Sequence, residues 1–161
     1  MKYVIIGNGI IALSTAFRLT QQIKAKDSIT IVGLSTRVGS ATMAAGAMLN
    51  SFGEINPYSL RTKTGQYHFE LSRLATKKWP EFENQLISAA GNKLTKNDGY
   101  GLGTYIINNT SSDDFDDRNF EAIVNALKDC NEQFDYVTPR DIPNYHPSQR
   151  KRATRAIYIP G

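Results

Sequence analysis

The sequence predicts an α/β protein that opens with a strand, a tight turn, a helix and a second strand. Three observations support this. An apolar run at residues 4–6 has the character of a parallel strand covered on both faces. The run breaks at Gly7-Asn8-Gly9, after which apolar residues recur with helical spacing as far as Leu19. A second apolar run, at residues 29–32, follows a polar connection and completes a βαβ unit.

The turn after the first strand has the form of a dinucleotide-binding turn. Gly7 permits the sharp reversal, Gly9 lets the backbone approach a pyrophosphate, and Ala12 stands where a third glycine is usual. The phosphate would lie on the free N–H groups at the start of the helix, where the helix dipole favours negative charge. The plainer interpretation is any βα turn that contains glycines. The helix face expected to lie on the sheet consists of Ile11, Thr15, Phe17 and Leu19, with the small residues Ala12 and Ala16 between them.

The end of the second strand leaves the nucleotide open. Dinucleotide-binding folds usually place an Asp or Glu there to accept hydrogen bonds from the adenosine ribose, and this chain has Gly33. We expect the ribose to be held by backbone groups of Gly33 and Leu34 or by the hydroxyls of Ser35 and Thr36. Together with Arg37, those hydroxyls can equally be a receptor for the 2′-phosphate of NADP.

A run of small, uncharged residues follows at positions 39–50. Together with the opening turn, it resembles the N-terminal part of the D-amino-acid oxidase and glycine oxidase superfamily of FAD-dependent enzymes. The matching residues are Gly7, Gly9, Ile10, Ile11, Leu13, Ser14, Thr15 and Ala16, then Ser40, Ala44, Ala45, Gly46, Met48 and Leu49, with Ala47 as one extra residue. In this family a glutamate is usual where the chain has Gly33. The plainer interpretation of the run is a tightly packed helix start.

The resemblance implies a Rossmann-like FAD-binding unit in an oxidoreductase of the amine or amino-acid oxidase type. Such an enzyme oxidises a C–N bond of its amine or amino-acid substrate and passes hydride to flavin N5. The cofactor-binding residues that it implies are Gly7, Gly9, Ile10, Ile11, Ala12, Gly33, Leu34, Ser40, Ala41, Ala45, Gly46 and Ala47. No residue is assigned to catalysis. An NADP-dependent reductase and a non-catalytic Rossmann-like binding module remain as alternatives.

Residues 1–52 are expected to form the dinucleotide-binding segment, and residues 53–161 a helical insertion with the start of a substrate domain. The resemblance extends over all 161 residues but covers less than half of a family member, whose substrate-binding groups lie mainly in the other half. The parallel sheet would then have an exposed edge and uncovered apolar area. Such a surface favours an oligomer, or a partner chain that supplies the remaining half.

Local patterns predict the elements that follow. We expect a loop at residues 52–61 and a long helix at residues 64–90, which Pro80 either kinks or divides. The apolar stripe of this helix consists of Tyr67, Leu71, Leu74, Ala75, Trp79, Phe82, Leu86 and Ile87. A turn is predicted at residues 97–101 and a strand at residues 103–107.

A second long helix is predicted at residues 116–130, with Ser112 or Asp113 as its cap. Its apolar face consists of Phe120, Ile123, Val124 and Leu127. The acidic residues before it match the positive end of the helix dipole, which favours a helix start over a metal site. Short strands are predicted at residues 134–137 and 156–159. The basic run at residues 149–155 lacks interleaved aromatic residues, which favours a solvated connector over an RNA or membrane patch.

Composition limits the classes of function. The 19 basic and 15 acidic residues give a net charge of +4, which is not the pattern of a nucleic-acid-binding protein. The single cysteine, Cys130, has no histidine near it in sequence and indicates a reducing compartment. His68 has no second ligand at metal-binding spacing, so no metal site is expected. Without a bilayer-spanning apolar run or a signal-peptide pattern, the expected location is cytoplasmic.

Overall fold

The computed structural model describes residues 1–36, 38–45, 49–94 and 103–160. These residues form a mixed α/β structure that divides into two compact units, residues 1–48 and residues 49–161. The predicted turn at residues 97–101 lies outside the described residues, as do Gly46 and Ala47 of the predicted FAD site and Arg37 of the alternative NADP site.

The first unit contains two parallel strands joined by a helix. β1 (Lys2–Ile6) pairs with β2 (Ser28–Val32), and α1 (Ile10–Thr20) connects them, so the predicted order of elements is confirmed. A short helix, α2 (Ala41–Ala44), follows. Ser40 begins it by accepting a hydrogen bond from the Met43 N–H at 3.4 Å.

The described residues of this unit bury little apolar surface. Ala16, a small residue of α1, is the one buried residue among them. The predicted sheet-facing side of α1 is therefore wrong at Ile11, which is 79% exposed, and at Thr15, which is also exposed. β1 is not covered on both faces either, since Val4 is 64% and Ile6 is 87% exposed. One helix and one neighbouring strand are too few to cover it.

The second unit holds the hydrophobic core. β3 (Thr104–Asn109), β4 (Asp135–Tyr136) and β5 (Ala153–Ile159) form an antiparallel sheet in the order β3-β5-β4. α4 (Asp114–Asp129) packs against β3. The core consists of Phe52, Ile55, Phe120, Ile123, Val124, Ala126, Leu127, Ile157 and Ile159. The predicted apolar face of α4 is thus confirmed in full.

Local sequence explains why α4 begins where it does. The Asp113 side chain accepts hydrogen bonds from the N–H groups of Phe115 and Asp116, at 2.8 and 2.9 Å, and the Asp116 side chain accepts from the Asp113 N–H at 3.2 Å. This reciprocal capping box satisfies N–H groups that lack helical partners. Of the two caps predicted, Asp113 is the one that the structure uses.

α3 (Lys63–Ala90) is one continuous helix that includes Pro80. Its predicted apolar stripe is wrong in the first half, where Tyr67, Leu71 and Leu74 are exposed. Phe69 faces the core instead, with its ring edge-on to Phe52 at 5.3 Å. Arg73 lies over both rings at 5.8 Å. The loop before α3 supplies two core residues, because Phe52 and Ile55 are buried.

The segment at residues 149–155, predicted to be a solvated connector, is partly regular structure, because its last three residues belong to β5. Its last residue, Arg155, lies in β5 and forms ion pairs with Asp117, at 3.0 Å, and with Glu121. The segment before it forms a 3₁₀ turn at Gln149–Lys151. None of the helices that the structure describes combines the length and the apolar character that crossing a bilayer requires.

Candidate functional site

Gly7 ends β1 in a conformation that other residues rarely adopt. Its φ of 110° lies in the left-handed region, so a side chain at this position would be strained. Its N–H donates a hydrogen bond to the Val32 carbonyl oxygen at 2.7 Å, which extends the pairing of β1 with β2 by one residue. The chain therefore turns immediately beyond the carboxyl ends of two parallel strands.

Gly9 precedes the first residue of α1 and lies close to α2. A Cβ atom at Gly9 would lie 3.1 Å from Thr42 Oγ1, which is tighter than an ordinary contact. The Thr42 hydroxyl accepts a hydrogen bond from the Ile10 N–H at 3.0 Å. The absence of a side chain at Gly9 thus has a local use, since it lets a hydroxyl from a distant part of the sequence reach the start of α1.

The first turn of α1 presents N–H groups that have no acceptor among the described residues. Gly9 provides no side-chain cap, and the first turn contains no acidic residue. Thr42 takes the Ile10 N–H, whereas no described group accepts from the N–H groups of Ile11 and Ala12. Such groups, at the positive end of a helix dipole, favour an anion.

Asn8 crosses the end of β2 and explains the glycine there. Its Nδ2 donates a hydrogen bond to the Leu34 carbonyl oxygen at 2.7 Å. A Cβ atom at Gly33 would lie 2.6 Å from Asn8 Cγ and 2.8 Å from Asn8 Cβ. The space where dinucleotide-binding folds usually carry an acidic side chain is therefore occupied by the Asn8 amide, from the turn after the neighbouring strand β1. The Leu34 carbonyl, one of the backbone groups expected from the sequence to hold the ribose, accepts this hydrogen bond from Asn8.

The small-residue segment at positions 39–50 reaches the start of α1 through Thr42. Ser40 is engaged as the cap of α2, while Ala41 and Ala45 are exposed. Ser35 and Thr36, the hydroxyls considered for a nucleotide phosphate, are exposed as well. The predicted residues that the structure brings together are therefore Gly7, Gly9, Ile10, Ile11, Ala12, Gly33 and Leu34, on the turn and the end of β2.

Two residues at this site, Asn8 and Thr42, were not predicted from the sequence. Asn8 could have been found by register, because β1 and β2 pair with Ile6 beside Val32, so the residues just beyond them must also be neighbours. An asparagine beside a glycine at that point indicates that the asparagine side chain fills the space that the glycine leaves empty. Thr42 carries no such signal, since no local rule places a hydroxyl of α2 at the start of α1.

The described residues contain no group of three or more His, Cys, Asp or Glu placed to hold a metal ion. His68 is exposed on α3, and Cys130 is half-buried at the end of α4. Neither a comparison with models of known protein families nor one with curated proteins finds a match to this chain.

Proposed function

We propose that the first unit binds the adenosine diphosphate part of FAD, and that the chain is the N-terminal portion of an FAD-dependent oxidoreductase acting on an amine or amino acid. The observation that carries this is the start of α1. There the unpaired N–H groups of Ile11 and Ala12 follow directly on a glycine turn at the end of a parallel strand. The resemblance of residues 7–16 and 40–49 to the amino-acid oxidases supports the choice of FAD.

The pyrophosphate would lie against the first turn of α1. Two free N–H groups can donate to its oxygens, and the helix dipole adds attraction for its negative charge. The Ile10 N–H already donates to the Thr42 hydroxyl at 3.0 Å. Thr42 thus acts as a positioning residue that fixes the start of α2 beside the phosphate site. Gly9 keeps the approach open on the same side.

Asn8 would replace the usual acidic residue as the ribose ligand. Its Nδ2 is committed to Leu34, which fixes the amide orientation and leaves Oδ1 as an acceptor for a ribose hydroxyl. An amide is neutral, so this hydrogen bond would be weaker than one to a carboxylate. We therefore expect the chain to hold the adenosine less tightly than a protein that carries a glutamate at position 33.

The redox chemistry would belong to the flavin, which accepts hydride from the carbon of the C–N bond being oxidised. The residues of the first unit would bind and orient the nucleotide end of that cofactor. No described side chain is assigned to the substrate, and we expect no amine oxidation by these 161 residues alone.

An NADP-dependent reductase is the second candidate, and one observation favours it. Asn8 and Gly33 leave no carboxylate at the ribose site, so nothing there repels a 2′-phosphate. The exposed hydroxyls of Ser35 and Thr36 are available to bind one. A non-catalytic binding module with the same turn would bind neither nucleotide specifically.

The test is a titration of the chain with FAD and with NADP, each measured by isothermal titration calorimetry, with the change in flavin absorbance between about 350 and 500 nm as a second signal for FAD. We expect weak but saturable FAD binding that Gly9→Val abolishes, because the valine would occupy the pyrophosphate site. Gly9→Val also crowds Thr42, so Gly9→Val/Thr42→Ala is the control that removes this crowding.

Each outcome has a distinct meaning. Loss of FAD binding in both variants, with binding retained in Thr42→Ala alone, supports a phosphate at the turn. Recovery in the double variant would show that Gly9 serves only the packing of Thr42. Tighter binding of NADP than of FAD would favour the reductase.

A further inference from the structure

A cleft in the second unit is lined by cationic side chains and by no carboxylate. Its volume is about 610 Å³, and the residues that define its character are Arg140, Tyr145, His146 and Arg152, between Pro139 and Pro147. This volume lies within the range of roughly 300–1,000 Å³ typical of small-molecule sites. None of the residues that line the cleft belongs to the proposed nucleotide site, whose residues lie between positions 7 and 42 in the sequence.

Hydrogen bonds of the backbone and of Tyr145 hold the walls of the cleft. The Tyr145 hydroxyl accepts a hydrogen bond from the Ala153 N–H at 2.9 Å and donates one to the Lys151 carbonyl oxygen at 3.4 Å. A 3₁₀ turn at Pro139–Asp141 lies beside β5, where the Val137 N–H donates to the Ala156 carbonyl oxygen at 3.1 Å. The loop that carries Arg140 and His146 is thereby tied to the strand that follows Arg152.

The arginines of the cleft lack the carboxylate partners that Arg73 and Arg155 of the same unit have. Arg155 forms ion pairs with Asp117 and Glu121, and Arg73 forms one with Glu132 at 3.6 Å. Within the described ranges, neither Arg140 nor Arg152 forms an ion pair. Two arginines and a histidine that line a concave surface, with no carboxylate in its lining, attract an anion.

We propose that this cleft binds a small molecule through its phosphate group. Guanidinium groups present planar pairs of N–H donors that match phosphate oxygens, and two of them can neutralise a dianion. His146 supplies a further ring nitrogen as donor. The concave shape favours a small phosphate over a nucleic-acid strand, whose backbone is tracked by an extended groove.

The experiment is a titration of the full chain with inorganic phosphate, with glycerol phosphate and with succinate, followed by NMR shifts of the Ala153 amide and the His146 ring. We expect saturable shifts with both phosphates and weaker binding of succinate. Arg140→Gln and Arg152→Gln should each weaken phosphate binding by about tenfold or more, since each removes charged hydrogen bonds.

Arg150→Gln is the matched control. It removes the same charge from the same basic segment, but Arg150 does not line the cleft, and its structural contact is made by its carbonyl oxygen with Thr110. We expect it to weaken phosphate binding by less than about twofold, as general screening predicts.

Four results would overturn the proposal. One is an equal loss in all three variants, which would indicate only diffuse positive charge. Another is the absence of saturable phosphate binding, and the third is succinate binding as tight as that of phosphate. Tighter binding of a single-stranded oligonucleotide, weakened alike by all three substitutions, would point to nucleic acid instead. Circular dichroism of each variant checks that the fold is unchanged.

Discussion

Replacing Gly33 by alanine is expected to destabilise the first unit, and the cause would be Asn8. The added Cβ would lie 2.6 Å from Asn8 Cγ and 2.8 Å from its Cβ, so the Asn8 side chain must move. Moving it breaks the 2.7 Å hydrogen bond to the Leu34 carbonyl oxygen, worth about 1 kcal/mol. Displacement from its rotamer costs about another 1 kcal/mol. The expected destabilisation is therefore about 2 kcal/mol.

The dependence on Asn8 is what makes this prediction specific. In an Asn8→Gly background the colliding atoms are gone, so Gly33→Ala should cost less than about 0.5 kcal/mol. Asn8→Ala is the informative control, because it removes Cγ but keeps the Cβ that lies 2.8 Å from the added atom. Gly33→Ala should remain destabilising in that background.

Hydrogen–deuterium exchange of peptides covering β1 and β2 measures this effect in the unit concerned, with peptides of α4 as an internal reference. We expect faster exchange of the β1 and β2 peptides in Gly33→Ala and normal exchange in Asn8→Gly/Gly33→Ala, each relative to its own background. The reasoning fails if Gly33→Ala has the same effect with and without the Asn8 side chain.

The same geometry changes an expectation drawn from the sequence about FAD affinity. From the sequence alone, Gly33→Glu adds the usual ribose ligand and should tighten FAD binding. The structure places Asn8 in the way, so Gly33→Glu should weaken binding in the parent chain and strengthen it only in the Asn8→Gly background.

Three further predictions concern the fold. Leu127→Ala should lower the free energy of unfolding by about 2–5 kcal/mol in urea denaturation, since Leu127 is fully buried in the core; an effect below about 1 kcal/mol would contradict the packing described. Asp113→Ala should cost about 1 kcal/mol through loss of the capping box, whereas Asp114→Ala, in the same turn but outside the box, should cost less. Static light scattering should show association that Ile6→Lys reduces, because Val4 and Ile6 are exposed on β1, and a monomeric parent chain would refute this.

Elements set by local signals were predictable within a few residues. The apolar run, the two glycines and the second run place β1, α1 and β2, because strand and helix periods and a glycine turn are readable over short windows. For α4, the cap at Asp113 and the buried face from Phe120 to Leu127 were both predictable. The capping residue and the apolar period agree on one helix, which makes such an element unambiguous.

Features that depend on tertiary packing were not predictable. Phe52 and Ile55 lie in a segment without periodicity, so nothing in the sequence marks them as core. In α3 the apolar period shows that a stripe exists but not which neighbours cover it. Tyr67 and Leu71 are exposed, while Phe69 meets Phe52. The pairing of Asn8 with Gly33 needed the strand register, which only the fold supplies.

The small number of buried residues in the first unit has a consequence for how this unit folds. With Ala16 as the one buried residue among those described in this unit, its internal packing contributes little to its own stability. A ligand bound to the folded form adds about 2.7 kcal/mol when present at 100 times its dissociation constant. If the nucleotide is that ligand, binding and folding of residues 1–48 are a single linked equilibrium. A protease would then cut the nucleotide-free chain first within this unit, and saturating nucleotide would slow that cleavage while leaving the second unit unaffected.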